Sequence, residues 1–145
     1  MLKRPRGKLL IGSLVLSSAV ASLSGCAGGV SVHESANVAL IIDSGFLTGD
    51  QAAISGTLTV TEAGCVGLAD QEGSTFPAVW PRGTTLTSAS PVTLYVPVLG
   101  IKRQGDKISG TGGYCAVEGR TSLKEVAVRC HWGGEVIGIY FARRV

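Results

Sequence analysis

The sequence is short of the residue types that most catalytic and metal sites use. It has only two histidines, His33 and His131, and charged residues make up 16% of the chain. No cysteines or histidines have the Cys-x2–4-Cys or His-x3–5-His spacing of a zinc site. No Gly-x-Ser-x-Gly nucleophile elbow is present, and the glycines of residues 105–113 lack the Gly-Lys-Ser/Thr ending of a phosphate-binding loop. We therefore expect neither a metal nor another cofactor.

The sequence also has only one long apolar run. Residues 9–23 carry no charge and follow four basic residues, Lys3, Arg4, Arg6 and Lys8. A basic start, an apolar stretch and then small residues is the layout of a bacterial export signal. The run is shorter than the roughly 20 apolar residues of a permanent membrane span, and serines dilute it. The pattern predicts an N-terminal signal helix.

The tetrapeptide Leu23-Ser24-Gly25-Cys26 stands at the end of this run. It resembles the lipobox of bacterial lipoproteins, in which a leucine and two small residues precede a cysteine. The resemblance implies that Cys26 is the lipid attachment site, with diacylglycerol and fatty acids such as palmitate, and that a dedicated peptidase cuts before it. Two acyl chains hold a protein stably on a bilayer. We therefore expect a lipoprotein whose partner is the cell membrane, on its extracytoplasmic face.

This interpretation divides the chain into three segments. Residues 1–25 are the lipoprotein signal peptide, residues 26–37 are the lipidated N-terminus and a flexible tether of small and polar residues, and residues 38–145 are a single β-domain. A flexible tether of that length spans on the order of 15–20 Å.

Removal of the signal changes the charge balance. The whole chain has 13 Lys and Arg against 10 Asp and Glu, but four of the basic residues lie in the signal. The mature chain therefore has nine basic and ten acidic residues, a formal charge of −1. A basic surface for nucleic acid is not expected.

The mature sequence has the composition of an all-β protein. Glycines separate short alternating segments, the clearest of which is residues 55–61, where Leu58 and Val60 alternate with threonines. About seven or eight short strands with turn residues between them predict a small closed or partly closed β-barrel, of OB or SH3-like size. Prolines limit residues 76–80 to a sheet edge or a strand end. Gly110, Gly112 and Gly113 predict a sharp bend or the close approach of another backbone.

Part of the β-domain is similar to small uncharacterised exported domains of actinobacteria. Those domains carry a Gly-Cys, a Trp-Pro-x-Gly and a Gly-Asp-x-Val/Ile…Gly-Gly-Tyr in the same order, here at residues 64–65, 80–83 and 105–114. The resemblance covers roughly residues 54–114 and implies a single exported domain, with no activity attached.

Three cysteines remain in the mature chain besides Cys26, namely Cys65, Cys115 and Cys130. Disulfides persist in exported proteins, so an odd number predicts one bridge and one leftover thiol. All three pairings are open. Cys115–Cys130 closes the shortest loop and is slightly favoured by closure entropy, with Cys65 as the alternative partner.

Two classes of function remain. The leading hypothesis is a non-enzymatic binding or interaction module of the cell envelope, with an envelope protein or a small molecule as its unknown ligand. Its aromatic residues, which pack in the core by default, could instead form a binding face for sugars or peptide: Trp80, Tyr95, Tyr114, Trp132 and Tyr140. The alternative is a small envelope hydrolase that uses His131 with a nearby carboxylate. The carboxylates Asp70 and Glu72 lie in a polar turn and are expected to be solvated.

Overall fold

Short β-branched segments separated by glycines form an all-β fold, as the sequence predicts. The structure is a computed structural model and describes residues 29–44, 52–117 and 121–140. The predicted signal helix and Cys26 lie outside these residues. The described strands are β1 (Val30–Ser35), β2 (Val38–Asp43), β3 (Ala52–Val60), β4 (Val66–Ala69), β5 (Thr75–Trp80), β6 (Thr85–Ala89), β7 (Val92–Val96), β8 (Gly100–Arg103), β9 (Lys107–Ala116) and β10 (Glu135–Tyr140). A 3-10 turn at Thr121–Leu123 leads into one short helix, α1 (Lys124–Arg129).

Five of these strands close into a barrel. Their order is β3, β4, β5, β10 and β9, and β9 pairs back with β3. Neighbouring strands are antiparallel except β5 and β10, which run parallel. Closure leaves none of these five strands with a long unpaired edge, and the prediction of a closed barrel is confirmed.

The β1–β2 hairpin lies outside the barrel ring and corrects the predicted tether. Val30 of β1 pairs with Asp43 of β2 in an antiparallel register, and β2 in turn runs parallel to the end of β5. Val30 and Val32 alternate with polar residues and pack against buried side chains of the domain. With only two apolar residues among small and polar ones, this strand has a weak pattern. Residues 30–37 therefore belong to the folded domain, which does not begin at residue 38.

Pro77 lies inside a barrel strand, so the expected edge position of residues 76–80 is wrong. β4 pairs with β5 only as far as Pro77, where Gly67 is its partner. β10 and β2 pair with β5 only beyond Pro77, from Ala78 and Val79 onward. Proline is tolerated there because the strand exchanges hydrogen-bonding partners at the residue that has no N–H to donate.

The glycines of β9 allow the close backbone approach that the sequence predicts. A Cβ atom on Gly112 would stand 2.0 Å from the carbonyl oxygen of Gly138 on β10. No side chain fits in that space, so the β9–β10 pairing requires glycine at residue 112. β9 is one continuous ten-residue strand, which passes through its glycines without ending.

The strands β6, β7 and β8 form a separate antiparallel sheet, inserted in the chain between the barrel strands β5 and β9. Val92, Leu94 and Val96 of β7 are buried and join the barrel core. A turn at residues 81–83 leads from the end of β5 directly into β6, so this sheet covers the end of the barrel at which β5 finishes.

Two apolar clusters hold the domain together. The larger one fills the barrel and includes Trp80, which is fully buried, with Leu58 and Ile108. The smaller one lies on the outside of the barrel beneath α1, where Val126 of the helix meets Ile41 and Val79. A fully buried aliphatic side chain contributes about 1.5–3 kcal/mol, so even this six-residue helix is fixed by its packing.

Helix α1 has no capping side chain at its start. Its N-cap is Leu123, which makes no side-chain cap hydrogen bond. The helix is therefore held by tertiary contacts rather than by a capping side chain.

Candidate functional site

An open groove lies between the β3–β4 turn and the end of α1. Its volume is about 680 Å³, within the usual range of ligand pockets. The described residues that line it are Thr61, Glu62, Ala63, Thr75, Cys130, His131 and Trp132. None of them is Lys or Arg, so the groove does not have the basic lining that a nucleic-acid backbone requires.

A disulfide between Cys65 and Cys130 joins the two walls of the groove. The S–S distance is 2.01 Å, the two Cα atoms lie 5.7 Å apart, and both residues are buried. Cys65 follows the β3–β4 turn and Cys130 follows α1, so the bond fixes the helix end against the turn. Fixing both walls reduces the conformational freedom that a ligand would otherwise have to restrict.

This pairing corrects the slight preference for Cys115–Cys130. Closure of a loop of 15 residues is favoured over one of 65 by only about 1.3 kcal/mol, and packing easily outweighs that difference. Cys65, the alternative partner, is brought to Cys130 because residue 65 forms a parallel bridge with Ala39 of β2, directly beneath α1.

Cys115 is disulfide-bonded as well. Cys65 and Cys130 bond to each other, so neither of them is the partner of Cys115. The expectation that one of Cys65, Cys115 and Cys130 is a leftover thiol is therefore wrong.

Arg129, the last residue of α1, adds a polar clamp beside the disulfide. Its Nη1 donates a hydrogen bond of 2.7 Å to the carbonyl oxygen of Ala63 in the β3–β4 turn. Its Nη2 donates a longer one, 3.4 Å, to the carbonyl oxygen of Asn37 in the β1–β2 turn. Its Nε pairs with the carboxylate of Glu34. One guanidinium thus holds α1 to two turns, as the planar fork of arginine donors permits.

Three aromatic side chains meet beside the groove. Phe76 of β5 makes edge-to-face contacts with Tyr114 of β9, at a centroid distance of 6.0 Å, and with Trp132, at 5.9 Å. Such contacts stabilise by about 0.5–1.5 kcal/mol beyond burial. The indole N–H of Trp132 donates to the carbonyl oxygen of Glu135 at 2.7 Å, which fixes the ring. Tyr114 remains 52% exposed, so part of this cluster is open to a ligand.

The five aromatics of the predicted binding face therefore separate. Tyr114 and Trp132 lie in the cluster beside the groove, joined by Phe76, which the sequence did not single out. Trp80 is buried in the barrel core, and Tyr95 lies on the inserted sheet. The side chain of Tyr140 lies outside the described part. An alternation of polar and aromatic residues along β5 would have indicated that Phe76 lies on the same face as other exposed rings. The sequence of β5 has no such alternation, because Pro77 and Ala78 follow Phe76.

His131 is exposed on the rim of the groove in a left-handed turn conformation, with φ of 48°. Within residues 29–44, 52–117 and 121–140 its ring makes no hydrogen bond or ion pair with a carboxylate. Glu62 lines the same groove, yet no described contact joins the two side chains. The paired geometry that the hydrolase alternative requires is not formed among these residues.

The remaining candidates have structural surroundings. The carboxylate of Asp70 accepts hydrogen bonds from the backbone N–H groups of Glu72, at 2.9 Å, and Ser74, at 2.8 Å, and so closes the β4–β5 turn. No group of three or more His, Cys, Asp or Glu side chains within the described ranges could hold a metal ion. No helix of the described residues has the length and hydrophobicity needed to cross a membrane.

The fold defines a small all-β protein built on a closed five-stranded barrel with an inserted three-stranded sheet. No protein-family model, no curated protein and no solved structure matches the chain at a significant level.

Proposed function

We propose that this chain is a lipid-anchored cell-envelope protein and that its barrel is a non-enzymatic binding module whose ligand occupies the groove beside Trp132. The observation that carries the binding role is the preorganised groove, whose walls are joined by the Cys65–Cys130 disulfide and by Arg129. An exposed tyrosine and a fixed indole ring provide apolar faces, and the rim provides the polar groups of Glu62 and His131. This combination fits a sugar ring, which offers both apolar and hydroxyl surfaces.

The position of the groove gives the binding role further support. Five-stranded Greek-key barrels of the OB type bind ligands over their second and third strands, between the loops that follow the first and fourth strands. Counted within this barrel, those elements are β4, β5, the β3–β4 turn and the β9–β10 connection. They include or border the groove.

Export is supported by the buried disulfide, because such bonds persist in oxidising compartments. The lipid anchor is supported by the lipobox at residues 23–26. Since β1 begins at Val30, only three residues separate Cys26 from the first strand. The four Cα–Cα steps from Cys26 to Val30 span at most roughly 14 Å at about 3.5 Å each, so the barrel would lie directly on the bilayer.

The state of Cys26 provides the sharpest test of the anchor. Cys115 is disulfide-bonded, Cys65 and Cys130 bond to each other, and the chain has four cysteines. A thioether at Cys26 and a disulfide of Cys115 within the same chain therefore exclude each other. Mass spectrometry of the N-terminal peptide of membrane-purified protein should show a diacylglyceryl Cys26 as the first residue, and Cys26→Ser should abolish both modification and cleavage. An N-terminal peptide joined to Cys115 by a disulfide would overturn the anchor.

The binding role is tested with immobilised wild type and Trp132→Ala, incubated with purified peptidoglycan and with the polysaccharide fraction of the envelope. We expect the wild type to retain one of them, in uncleaved form, and Trp132→Ala to lose at least tenfold in retention. Tyr95→Ala removes an exposed aromatic ring away from the groove and should bind as wild type. Equal retention by Trp132→Ala and wild type, or cleavage of the retained polymer, would contradict the proposal.

A further inference from the structure

The outward face of the β7–β8 hairpin carries an exposed apolar patch. Tyr95 of β7 and Ile101 of β8 are direct cross-strand partners, and they are 45% and 54% exposed. Val98, in the turn between the two strands, is 70% exposed. Three of the five large exposed hydrophobic residues in the described part of the chain thus lie on this hairpin. Contiguous apolar residues on a surface indicate an interaction site, whereas scattered ones do not.

Positive charge is concentrated in the same part of the chain. Residues 73–105 contain no Asp or Glu but contain Arg82, Lys102 and Arg103. Arg103 is exposed and lies two residues after Ile101, so the two side chains share one face of the sheet. The mature chain as a whole has a formal charge of −1, so the surroundings of the patch differ in sign from the rest of the domain.

The N-terminal strand enters the fold next to this hairpin. The backbone N–H of Ser44 donates to the carbonyl oxygen of Gly29 at 3.0 Å, and Arg82 donates to the carbonyl oxygen of Ser44 at 2.7 Å. The glycine that follows Arg82 lies against Pro97, where a Cβ atom would stand 3.2 Å from the proline ring. Pro97 begins the turn at the hairpin tip. These contacts connect Gly29, the described residue that is nearest to Cys26 in the sequence, with the apolar patch.

We propose that the outward face of the β6–β8 sheet rests on an anionic lipid bilayer. Val98 and Ile101 lie at the boundary between headgroups and acyl chains, Tyr95 occupies the interfacial layer that aromatic residues favour, and Arg82 and Arg103 contact anionic headgroups. The placement near a membrane rests on the proposed lipid anchor. In this orientation, the groove lies at the opposite end of β5 and is directed away from the bilayer.

Two valines of equal exposure allow a matched test. Val98 and Val128 are both 70% exposed, but Val128 lies on α1, whose last turn borders the groove. Val98→Trp and Val128→Trp proteins, purified from membranes, are reconstituted into vesicles of phosphatidylcholine and phosphatidylglycerol with brominated acyl chains. The fluorescence of the new tryptophan is obtained by subtracting the wild-type spectrum. For Val98→Trp we expect this emission to be blue-shifted, and we expect the brominated lipid to reduce its intensity at least twofold. The fluorescence added by Val128→Trp should be unaffected.

Ile101→Trp places a second tryptophan on the same hairpin but outside its turn, so a folding defect of Val98→Trp would not affect it. Its fluorescence should be quenched in the same way. Arg82→Glu combined with Arg103→Glu should reduce the quenching of Ile101→Trp. Equal quenching of Val98→Trp and Val128→Trp, or no quenching of both hairpin variants, would overturn the lipid-facing orientation. The anchor itself is judged separately by the mass of Cys26. If Cys26 is unmodified and vesicles added to the protein still quench only the hairpin variants, the anchor proposal fails and the lipid-facing sheet is supported.

Discussion

The two ends of the barrel are stabilised in different ways. At the groove end, a short helix and two turns meet, and a disulfide and the guanidinium of Arg129 hold them together. At the other end, a three-stranded sheet covers the barrel with the buried side chains of β7. These covalent and polar links add to the apolar cluster that α1 covers, which includes Leu123 and Val126. A sheet provides an apolar face of its own and needs no such links.

Removal of the disulfide should change the free energy of unfolding more than any other substitution considered for the two ends. Cys65→Ser combined with Cys130→Ser should lower the free energy of unfolding by about 4 kcal/mol, because the bond closes a loop with a separation of 65 residues. Urea denaturation measures the change. Hydrogen exchange should become faster mainly in residues 61–65 and 124–132, while β7 should be affected only through the loss of global stability. Equal local exchange at both ends would contradict the comparison.

The inserted sheet should depend on apolar packing instead. Leu94→Ala removes a fully buried side chain and should cost about 3 kcal/mol, measured by the same denaturation. Val128→Ala, at a site that is 70% exposed, is the control and should change stability by less than about 0.5 kcal/mol. A cost below about 1 kcal/mol for Leu94→Ala would show that the sheet is not part of the barrel core.

Arg129 should have a smaller effect, confined to the groove end. Arg129→Gln removes its hydrogen bonds to two turns, and we expect a loss of about 1–2 kcal/mol with weaker ligand retention. Glu34→Gln tests the ion pair alone and should cost less than about 1 kcal/mol, since Glu34 is 54% exposed. If both substitutions cost the same, the ion pair rather than the backbone contacts would hold the helix.

Substitution of Val98 should change the free energy of unfolding least, and it should raise this free energy rather than lower it. It has a φ of 73°, a conformation that is strained for a β-branched residue. Val98→Gly should relieve that strain and raise the free energy of unfolding by up to about 1 kcal/mol. The same substitution should weaken the contact with lipid vesicles, because the apolar side chain is lost. Denaturation and vesicle binding, measured on the same protein, separate the two effects.

Much of the fold could be predicted from the sequence because its signals are local. The alternation of Leu58 with threonines identified β3, which the structure confirms. The glycines of β9 indicated close backbone approach, which Gly112 makes. β1 was missed because Val30 and Val32 are too few to form a recognisable pattern. β8 has no recognisable strand pattern, because Gly100 and the polar residues around it are typical of turns.

The candidate site was less predictable, since its members are far apart in the chain. Trp132 and Tyr114 were named in advance, but nothing local connects them with Phe76. Cys65 was one of three open choices, and Arg129 had no visible partner in the sequence. These side chains meet only because closure of the barrel places the β3–β4 turn beneath α1.

By itself, the sequence determined the all-β composition, many of the turn positions and the glycines that close packing requires. Each of these depends on residues that are neighbours in the chain. The tertiary structure alone decided which strands close the barrel, which cysteines bond and which aromatic rings share a surface. Those outcomes depend on the packing of distant segments, where small differences in loop entropy are outweighed by the burial of apolar side chains.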